Sequence, residues 1–120
     1  MQTSVGINFE ELNEFKSDFK KLIKKYRTLN TDLFVLKKVL EQIPDQRPPF
    51  SYMLDNLDLN TCVIKVKKIA CRAIKTRGVN TGLRLVYAYF KDENRIIFIE
   101  IYHKNVKSKE NRQRIKDNFK

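Results

Sequence analysis

Residues 82–104 decide the fold of this chain and read GLRLVYAYF (82–90), KDEN (91–94) and RIIFIEIYHK (95–104). Two runs rich in β-branched and aromatic residues flank a short polar break, and no proline interrupts either run, which is the pattern of a β-hairpin. A tight turn within 91–94 gives one register, in which Phe90 lies opposite Arg95 and Arg84 lies opposite Ile101.

Successive side chains of a strand point to opposite faces, so this register divides the hairpin into two faces. One face is expected to carry Arg84, Val86, Ala88, Phe90, Ile97, Ile99, Ile101 and His103, and the other Leu83, Leu85, Tyr87, Tyr89, Ile96, Phe98, Glu100 and Tyr102. Neither face is plainly polar, which is typical of a strand pair in the middle of a covered sheet. The open end of the hairpin collects a candidate reactive cluster: Arg84, Tyr102, His103 and Lys104.

The N-terminal part of the chain predicts two helices after a short strand at residues 4–9. Asn8 is expected to cap the first helix, whose apolar residues follow one stripe at helical spacing. Asn30 or Thr31 is the expected cap of the second helix, which Pro44 ends. The short connection between them predicts an antiparallel helical hairpin.

The segments on either side of the strand-rich centre are less regular. Residues 44–61 contain further prolines, and their apolar side chains either pack on the core or contact a partner. Residues 62–75 alternate loosely and predict one or two strands, and residues 76–81 predict a turn.

After the hairpin, Ser108 is expected to cap a short last helix with Ile115 and Phe119 on its inner face. Together the elements predict a single α+β domain over residues 1–120. Its N-terminal helical hairpin packs on a mostly antiparallel sheet of about four strands, and a short C-terminal helix follows.

Charge is unevenly distributed along the chain. Residues 1–60 hold nine Lys/Arg and nine Asp/Glu, whereas residues 61–120 hold sixteen and five, so the second half carries the whole formal charge of +11. Such asymmetry indicates a surface that faces a polyanion. Nucleic acid is favoured over a membrane surface because the cations lie on strands and loops rather than along one amphipathic helix.

Several classes of protein are disfavoured by the sequence. No apolar run approaches the ~20 residues that a membrane span needs, and no signal-peptide pattern is present, so a cytoplasmic location is expected. Cys62 and Cys71 are spaced nine apart, which favours two reduced structural cysteines. No metal-binding or nucleotide-binding motif is found, so no cofactor is expected.

The order of elements, with Gly-Leu-Arg-Leu-Val-Tyr at 82–87 and Ile-Glu-Ile-Tyr-His-Lys at 99–104, resembles the RelE/ParE superfamily of toxins from bacterial type II toxin–antitoxin systems. The resemblance covers most of the chain. RelE-type members are endoribonucleases that cut mRNA, often on the ribosome, so the resemblance implies a toxin that represses translation, an antitoxin partner and mRNA as substrate.

The resemblance also implies site residues. Arg84 matches the arginine of the family's central strand, and Lys75 and Arg77 precede it by nine and seven residues, where the RelE pattern has a Lys-x-Lys pair. The implied catalytic set is Arg84, His103, Lys104, Lys75 and Tyr102, with Tyr102 in place of a family tyrosine that has no clear match. The basic second half of the chain adds an expected phosphate-binding set of Lys65, Lys67, Lys68, Arg72, Arg77 and Lys107.

These residue types suit metal-independent RNA cleavage. The 2′-hydroxyl attacks phosphorus, and the reaction needs a base, an acid and cations for the charge that grows on the phosphate. Arginine pairs with phosphate oxygens through its planar fork, and His103 can act as base or acid. Two alternatives stay open: a ParE-like toxin that binds DNA gyrase without cleaving RNA, and a non-catalytic nucleic-acid-binding protein.

Overall fold

A computed structural model describes residues 6–75 and 78–120. The elements in chain order are β1 (Asn8–Glu11), α1 (Asn13–Lys25), α2 (Leu29–Gln42), β2 (Ser51–Met53), β3 (Cys62–Val66), β4 (Leu83–Phe90), β5 (Arg95–His103) and α3 (Arg112–Phe119). The sheet order is β1-β5-β4-β3-β2, with β1 parallel to β5 and the other pairs antiparallel. The α+β class is confirmed, but the prediction of about four strands is wrong, because five strands form a mixed sheet.

Both faces of the sheet are covered, as the apolar character of the hairpin predicts. The first face, here named the helix-pair face, packs on α1 and α2 in a core that includes Phe15, Leu36 and Phe98. The second, here named the α3 face, packs on α3 and on residues 54–59 in a smaller core that includes Ile115. The core therefore has two layers, and the central hairpin β4–β5 contributes to each.

The predicted hairpin register holds near the turn and fails at the open end. Phe90 lies opposite Arg95 as predicted, but the register shifts by one residue at Ile99, so Arg84 lies opposite Tyr102 rather than Ile101. The extra residue is a β-bulge, and it exchanges the faces of every later residue of β5. Ile101 joins the helix-pair core, whereas Tyr102 joins the α3 core.

Glu100 gives the physical reason for the bulge. In the predicted register its carboxylate would enter the helix-pair core, where a charge without a partner is costly. On the α3 face the carboxylate accepts hydrogen bonds from Lys107 Nζ and from the backbone N–H of Asn111, the latter at 2.7 Å. The bulge therefore places a buried carboxylate beside its partners and returns Ile101 to an apolar environment.

Three predicted helix caps are wrong, because tertiary contacts outweigh the local signals. Asn8 begins β1 and donates its backbone N–H to Asn94 O at 2.8 Å. The second helix begins at Leu29, with Thr28 at the N-cap position, instead of after Asn30 or Thr31. The last helix is capped not by Ser108 but by Asn111, whose side chain accepts from Arg114 N. Ile115 and Phe119 do face the core as predicted.

Residues 44–61 contribute an edge strand to the sheet. β2 pairs with β3, and on its outer side Arg47 N–H donates to Ser51 O at 3.1 Å, while Met53 N–H donates to the Gln46 side chain at 3.0 Å. These bonds cover the free edge that would otherwise attract another strand. Residues 62–75 form a single strand, β3, followed by irregular chain.

Candidate nucleic-acid interface

A cationic pocket of about 240 Å³ lies at the open end of the β4–β5 hairpin. Its lining, which defines the name cationic pocket used below, consists of Pro49, Tyr52, Lys67, Lys68, Asn80, Gly82, Arg84 and Lys104. Four of these eight residues are Lys or Arg, and none is Asp or Glu. An uncompensated group of cations in a concave site is suited to phosphate.

Arg84 is held in place by backbone carbonyls. Its Nη1 donates to Lys67 O at 3.1 Å and to Leu83 O at 3.2 Å. Among residues 6–75 and 78–120, no carboxylate lies within ion-pair distance of its guanidinium. The remaining N–H donors of the guanidinium are therefore free to bind an anion, and the side chain is already oriented.

The three lysines of the pocket come from two segments, with Lys67 and Lys68 just after β3 and Lys104 just after β5. Lys68 Nζ donates to Asn80 Oδ1 at 2.6 Å, and Lys67 Nζ lies 5.0 Å from the centre of the Tyr52 ring. Lys104 follows β5 directly, and its backbone N–H donates to Gly82 O at 2.8 Å. Pairing of β3, β4 and β5 thus assembles lysines that are up to 37 positions apart in the sequence.

Gly82 allows the chain to pass close to His103. Its φ is +90°, and a Cβ atom at this position would lie 2.7 Å from His103 Nε2. Only glycine adopts this backbone region freely, and only glycine leaves the space. The glycine therefore positions both the first residues of β4 and the neighbouring Lys104.

His103 does not line the cationic pocket, although it is adjacent in sequence to Lys104. Its Nε2 lies 2.9 Å from Thr81 O, and its Nδ1 accepts the Asn105 backbone N–H at 3.1 Å. Its ring stacks on Tyr26 of the helix-pair face with centroids 6.1 Å apart. Both ring nitrogens are thus engaged by backbone groups, which fixes the Nε2–H tautomer.

Tyr102 and Lys65 belong to a buried ionic network rather than to the pocket lining. Lys65 Nζ binds Glu110 Oε1 at 2.8 Å and lies 3.5 Å from the Tyr102 hydroxyl, while Arg112 Nε donates to Glu110 Oε2 at 2.8 Å. Burial raises the pKa of Tyr102, although the adjacent Lys65 ammonium opposes this. The predicted phosphate contact of Lys65 is therefore replaced here by a protein carboxylate.

Glu110 is the carboxylate at the centre of this network. Burial by itself raises its pKa, but hydrogen bonds from Lys65, the backbone and Arg112, together with the Lys65 charge, outweigh it and lower the pKa to about 2. Lys107 is likewise neutralised, because its Nζ forms an ion pair with buried Glu100. These pairs attach the chain before α3 to the sheet.

The remaining predicted residues lie away from the pocket. The backbone N–H of Arg72 donates to buried Asp32 at 3.2 Å, and its side chain is exposed beside α2. Lys75 is exposed near Gly78, and Arg77 lies outside the described residues. The structure thus brings together Arg84 and Lys104 of the predicted catalytic set and Lys67 and Lys68 of the phosphate set, but not Lys75, Tyr102 or His103.

Sequence reasoning missed several residues of this surface. Tyr52, Asn80 and Gly82 line the pocket, and the aromatic residue within a basic patch was a usable signal for Tyr52. A further basic surface lies on α1, in the half of the chain with no net charge. It consists of five exposed lysines that lie off the apolar stripe: Lys16, Lys20, Lys21, Lys24 and Lys25.

Comparisons with protein-family models, with curated proteins and with solved structures found no match for this chain. In the described part of the chain, no helix is long and apolar enough to cross a membrane. Across residues 6–75 and 78–120, no group of three or more His, Cys, Asp or Glu side chains is placed to hold a metal ion.

Proposed function

We propose that this chain is a metal-independent endoribonuclease that cleaves mRNA and acts as a RelE-like toxin with a cognate antitoxin. The observation that carries the proposal is the cationic pocket, where Arg84 and three lysines converge without an acidic residue in the lining. The order of elements, one strand, two helices, four strands and a last helix, gives the α+β class that the RelE/ParE resemblance implies, although the sheet is mixed and has five strands.

The pocket offers groups for each part of the reaction. The 2′-oxygen of the substrate forms a bond to phosphorus while the bond to the 5′-oxygen breaks, which leaves a 2′,3′-cyclic phosphate and a 5′-hydroxyl. Arg84, oriented by two carbonyls, stabilises the charge on the phosphate oxygens. Lys67 and Lys104 are the candidates for moving protons: an amine accepts the 2′-hydroxyl proton, and an ammonium donates one to the 5′-oxygen.

Tyr52 extends the pocket for a nucleotide base. Tyr52 is 36% exposed and its ring lies beside Lys67, so a base can stack on the ring while the adjoining phosphate lies on the cations. Base–aromatic stacking tolerates any sequence, because every base has a π-face. The arrangement favours a single strand, whose bases are free to stack.

One observation favours a second function, non-catalytic RNA binding. The only histidine of the chain is held by Thr81 O and Asn105 N–H and does not line the cationic pocket. A pocket without a histidine binds phosphate equally well but relies on lysine for proton transfer. The two functions share the same binding surface and differ only in the chemical step.

A cleavage assay with a binding measurement tests both functions. Purified protein is incubated with end-labelled single-stranded RNA in EDTA, with and without translating ribosomes, and products are checked for a 2′,3′-cyclic phosphate. Arg84→Ala should weaken RNA binding by about 10- to 100-fold, the range of a hydrogen bond to a charged group. Lys91→Ala, an exposed cation at the opposite end of the hairpin, is the matched control and should bind as wild type.

Each outcome of this assay has a definite meaning. Cleavage by the wild type that Arg84→Ala abolishes supports the nuclease. RNA binding that depends on Arg84, with no product under either condition, supports the non-catalytic function. Equal RNA affinity of Arg84→Ala and Lys91→Ala would exclude the cationic pocket as the binding site and overturn both.

A further inference from the structure

A second concave surface lies between α2 and the chain that follows β3. It has a volume of about 590 Å³, and its apolar wall includes Val35, Val39, Phe50, Ala70 and Val79. We name it the apolar groove. It differs in chemistry from the cationic pocket, because its surface is mainly hydrocarbon, and it plays no part in the proposed cleavage.

The valines of this groove are exposed to an unusual degree. Val35 is 55% exposed, Val39 38% and Val79 47%. Val35 and Val39 are four positions apart, so they share one side of α2, while the core-facing side of the helix is formed by Leu29, Leu33, Leu36 and Leu40. A helix with a second apolar side exposed beside a concave wall is typical of a surface that another chain covers.

Charge identifies the kind of partner. Lys68 and Arg72 line the groove, and its one carboxylate, Asp32, is buried and accepts hydrogen bonds from Thr28 Oγ1 and Arg72 N–H. The groove therefore has an apolar wall and a cationic edge. A second copy of this chain, which carries +11, would be repelled, and RNA lacks the aliphatic surface to fill the groove.

We infer that the apolar groove binds a polypeptide segment that presents large apolar side chains and carboxylates on one side. The apolar side chains would cover Val35, Val39 and Val79, and the carboxylates would pair with Lys68 and Arg72. Such segments bind as amphipathic helices laid in a groove, which is a common mode of peptide recognition.

Lys68 links this groove to the cationic pocket, because it lines both. A carboxylate of the bound segment that pairs with Lys68 removes one cation from the pocket and adds a negative charge beside it. Bound segment and RNA should therefore oppose each other, and the coupling must be equal in both directions. This regulatory step rests on the proposed RNA binding, whereas the docking itself does not.

Four synthetic helical peptides of about 14 residues separate the contributions of apolar contact and charge. The first has Leu at helical spacing flanked by Glu. The others replace Leu with Ser, Glu with Gln, or Glu with Lys. Affinity is measured by fluorescence anisotropy at about 0.15 M salt, where long-range attraction is screened. The Leu–Glu peptide should bind at least about tenfold more tightly than each of the other three.

Val35→Glu and Val106→Glu form the matched pair of variants. Both replace an exposed valine, but Val106, 77% exposed in the chain after β5, does not line the groove. Val35→Glu should weaken binding of the Leu–Glu peptide at least about tenfold through repulsion and lost apolar contact, and Val106→Glu should not. No binding of that peptide, equal binding of the Leu-to-Ser peptide, or equal effects of the two variants would overturn the inference.

The regulatory link has its own measurement. Addition of the Leu–Glu peptide should raise the apparent Kd for single-stranded RNA, and Lys68→Ala should reduce this effect. If the protein binds the peptide but not RNA, the proposed function fails and the docking stands. If it binds both without mutual influence, the role of Lys68 is refuted.

Discussion

Replacing Glu110 with Gln tests the ionic network that attaches α3 to the sheet. The Glu110 side chain is 3% exposed and accepts hydrogen bonds from Lys65 and Arg112. Glutamine keeps the shape but removes the charge, which leaves Lys65, whose side chain is 14% exposed, without its carboxylate. Removing one partner of a buried ion pair typically costs about 3–5 kcal/mol, and the partial exposure of Lys65 places the expected loss near the lower limit.

The lowered pKa of Glu110 gives a second value for this stabilisation and shows how it should change with pH. Its value falls from 4.5 to about 2, and each unit corresponds to about 1.4 kcal/mol, so the charged carboxylate contributes about 3 kcal/mol at neutral pH. Because the folded-state pKa is the lower one, this stabilisation is complete above about pH 5 and is lost as the pH falls toward 2. The stability gap between wild type and Glu110→Gln should narrow by about 2 kcal/mol from pH 7 to pH 3.

Urea unfolding followed by circular dichroism measures both free energies at each pH. Glu93→Gln is the matched control, since Glu93 is also paired, with Arg95 at 3.1 Å, but its side chain is 58% exposed. Exposed pairs contribute about 0–1 kcal/mol, so the control should remain close to wild type at both pH values. A gap for Glu110→Gln that does not change with pH, or one no larger than that of the control, would refute the reasoning.

Three further predictions concern the pocket and its supports. Gly82→Ala should lower the free energy of unfolding in urea by about 1–3 kcal/mol, because Cβ would lie 2.7 Å from His103 Nε2 at a φ of +90°. Gly78→Ala, with open space around it, should lower it less, and equal losses would contradict this. His103→Ala removes two hydrogen bonds to the backbone, so it should lower the free energy of unfolding by about 1–3 kcal/mol. RNA cleavage per folded molecule should be unchanged, and its loss in a folded variant would show that the imidazole takes part in the cleavage reaction. In a salt titration of single-stranded RNA binding, Lys67→Ala should reduce the log–log slope by about 0.7, whereas Lys65→Ala, already paired with Glu110, should not change it.

The sequence predicted the parts of the fold that depend on local periodicity. The apolar stripe of α1 faces the core, β4 and β5 form the central hairpin, and Ile115 and Phe119 pack inward from α3. The helix caps were wrong, because partners distant in sequence decide them. Asn8 pairs with β5 and Asn111 donates to Glu100, and neither contact can be read from neighbouring residues.

The hairpin shows why a site is harder to predict than the strands that carry it. Both faces of β5 are apolar near Phe98 and Ile99, so the alternation pattern does not determine where a bulge lies. One extra residue in β5 was enough to move His103 away from the face of Arg84 and to bring Tyr102 opposite it. Arg84 is in the pocket because it lies on β4, and Lys104 joins it because the shifted register brings Lys104 opposite Gly82, to whose carbonyl its backbone N–H donates.

The bulge also separates the paired cations from the unpaired ones. By turning Glu100 and Tyr102 toward α3, it forms the buried cluster in which Glu100 neutralises Lys107 and Glu110 neutralises Lys65. Both lysines were expected to bind phosphate, and both are instead engaged by carboxylates. The pocket lining beyond this cluster has no acidic residue, so no carboxylate of the lining pairs with Lys67, Lys68, Arg84 or Lys104. A uniform count of basic residues therefore overstates the number of phosphate contacts, because Lys65 and Lys107 are already paired with carboxylates.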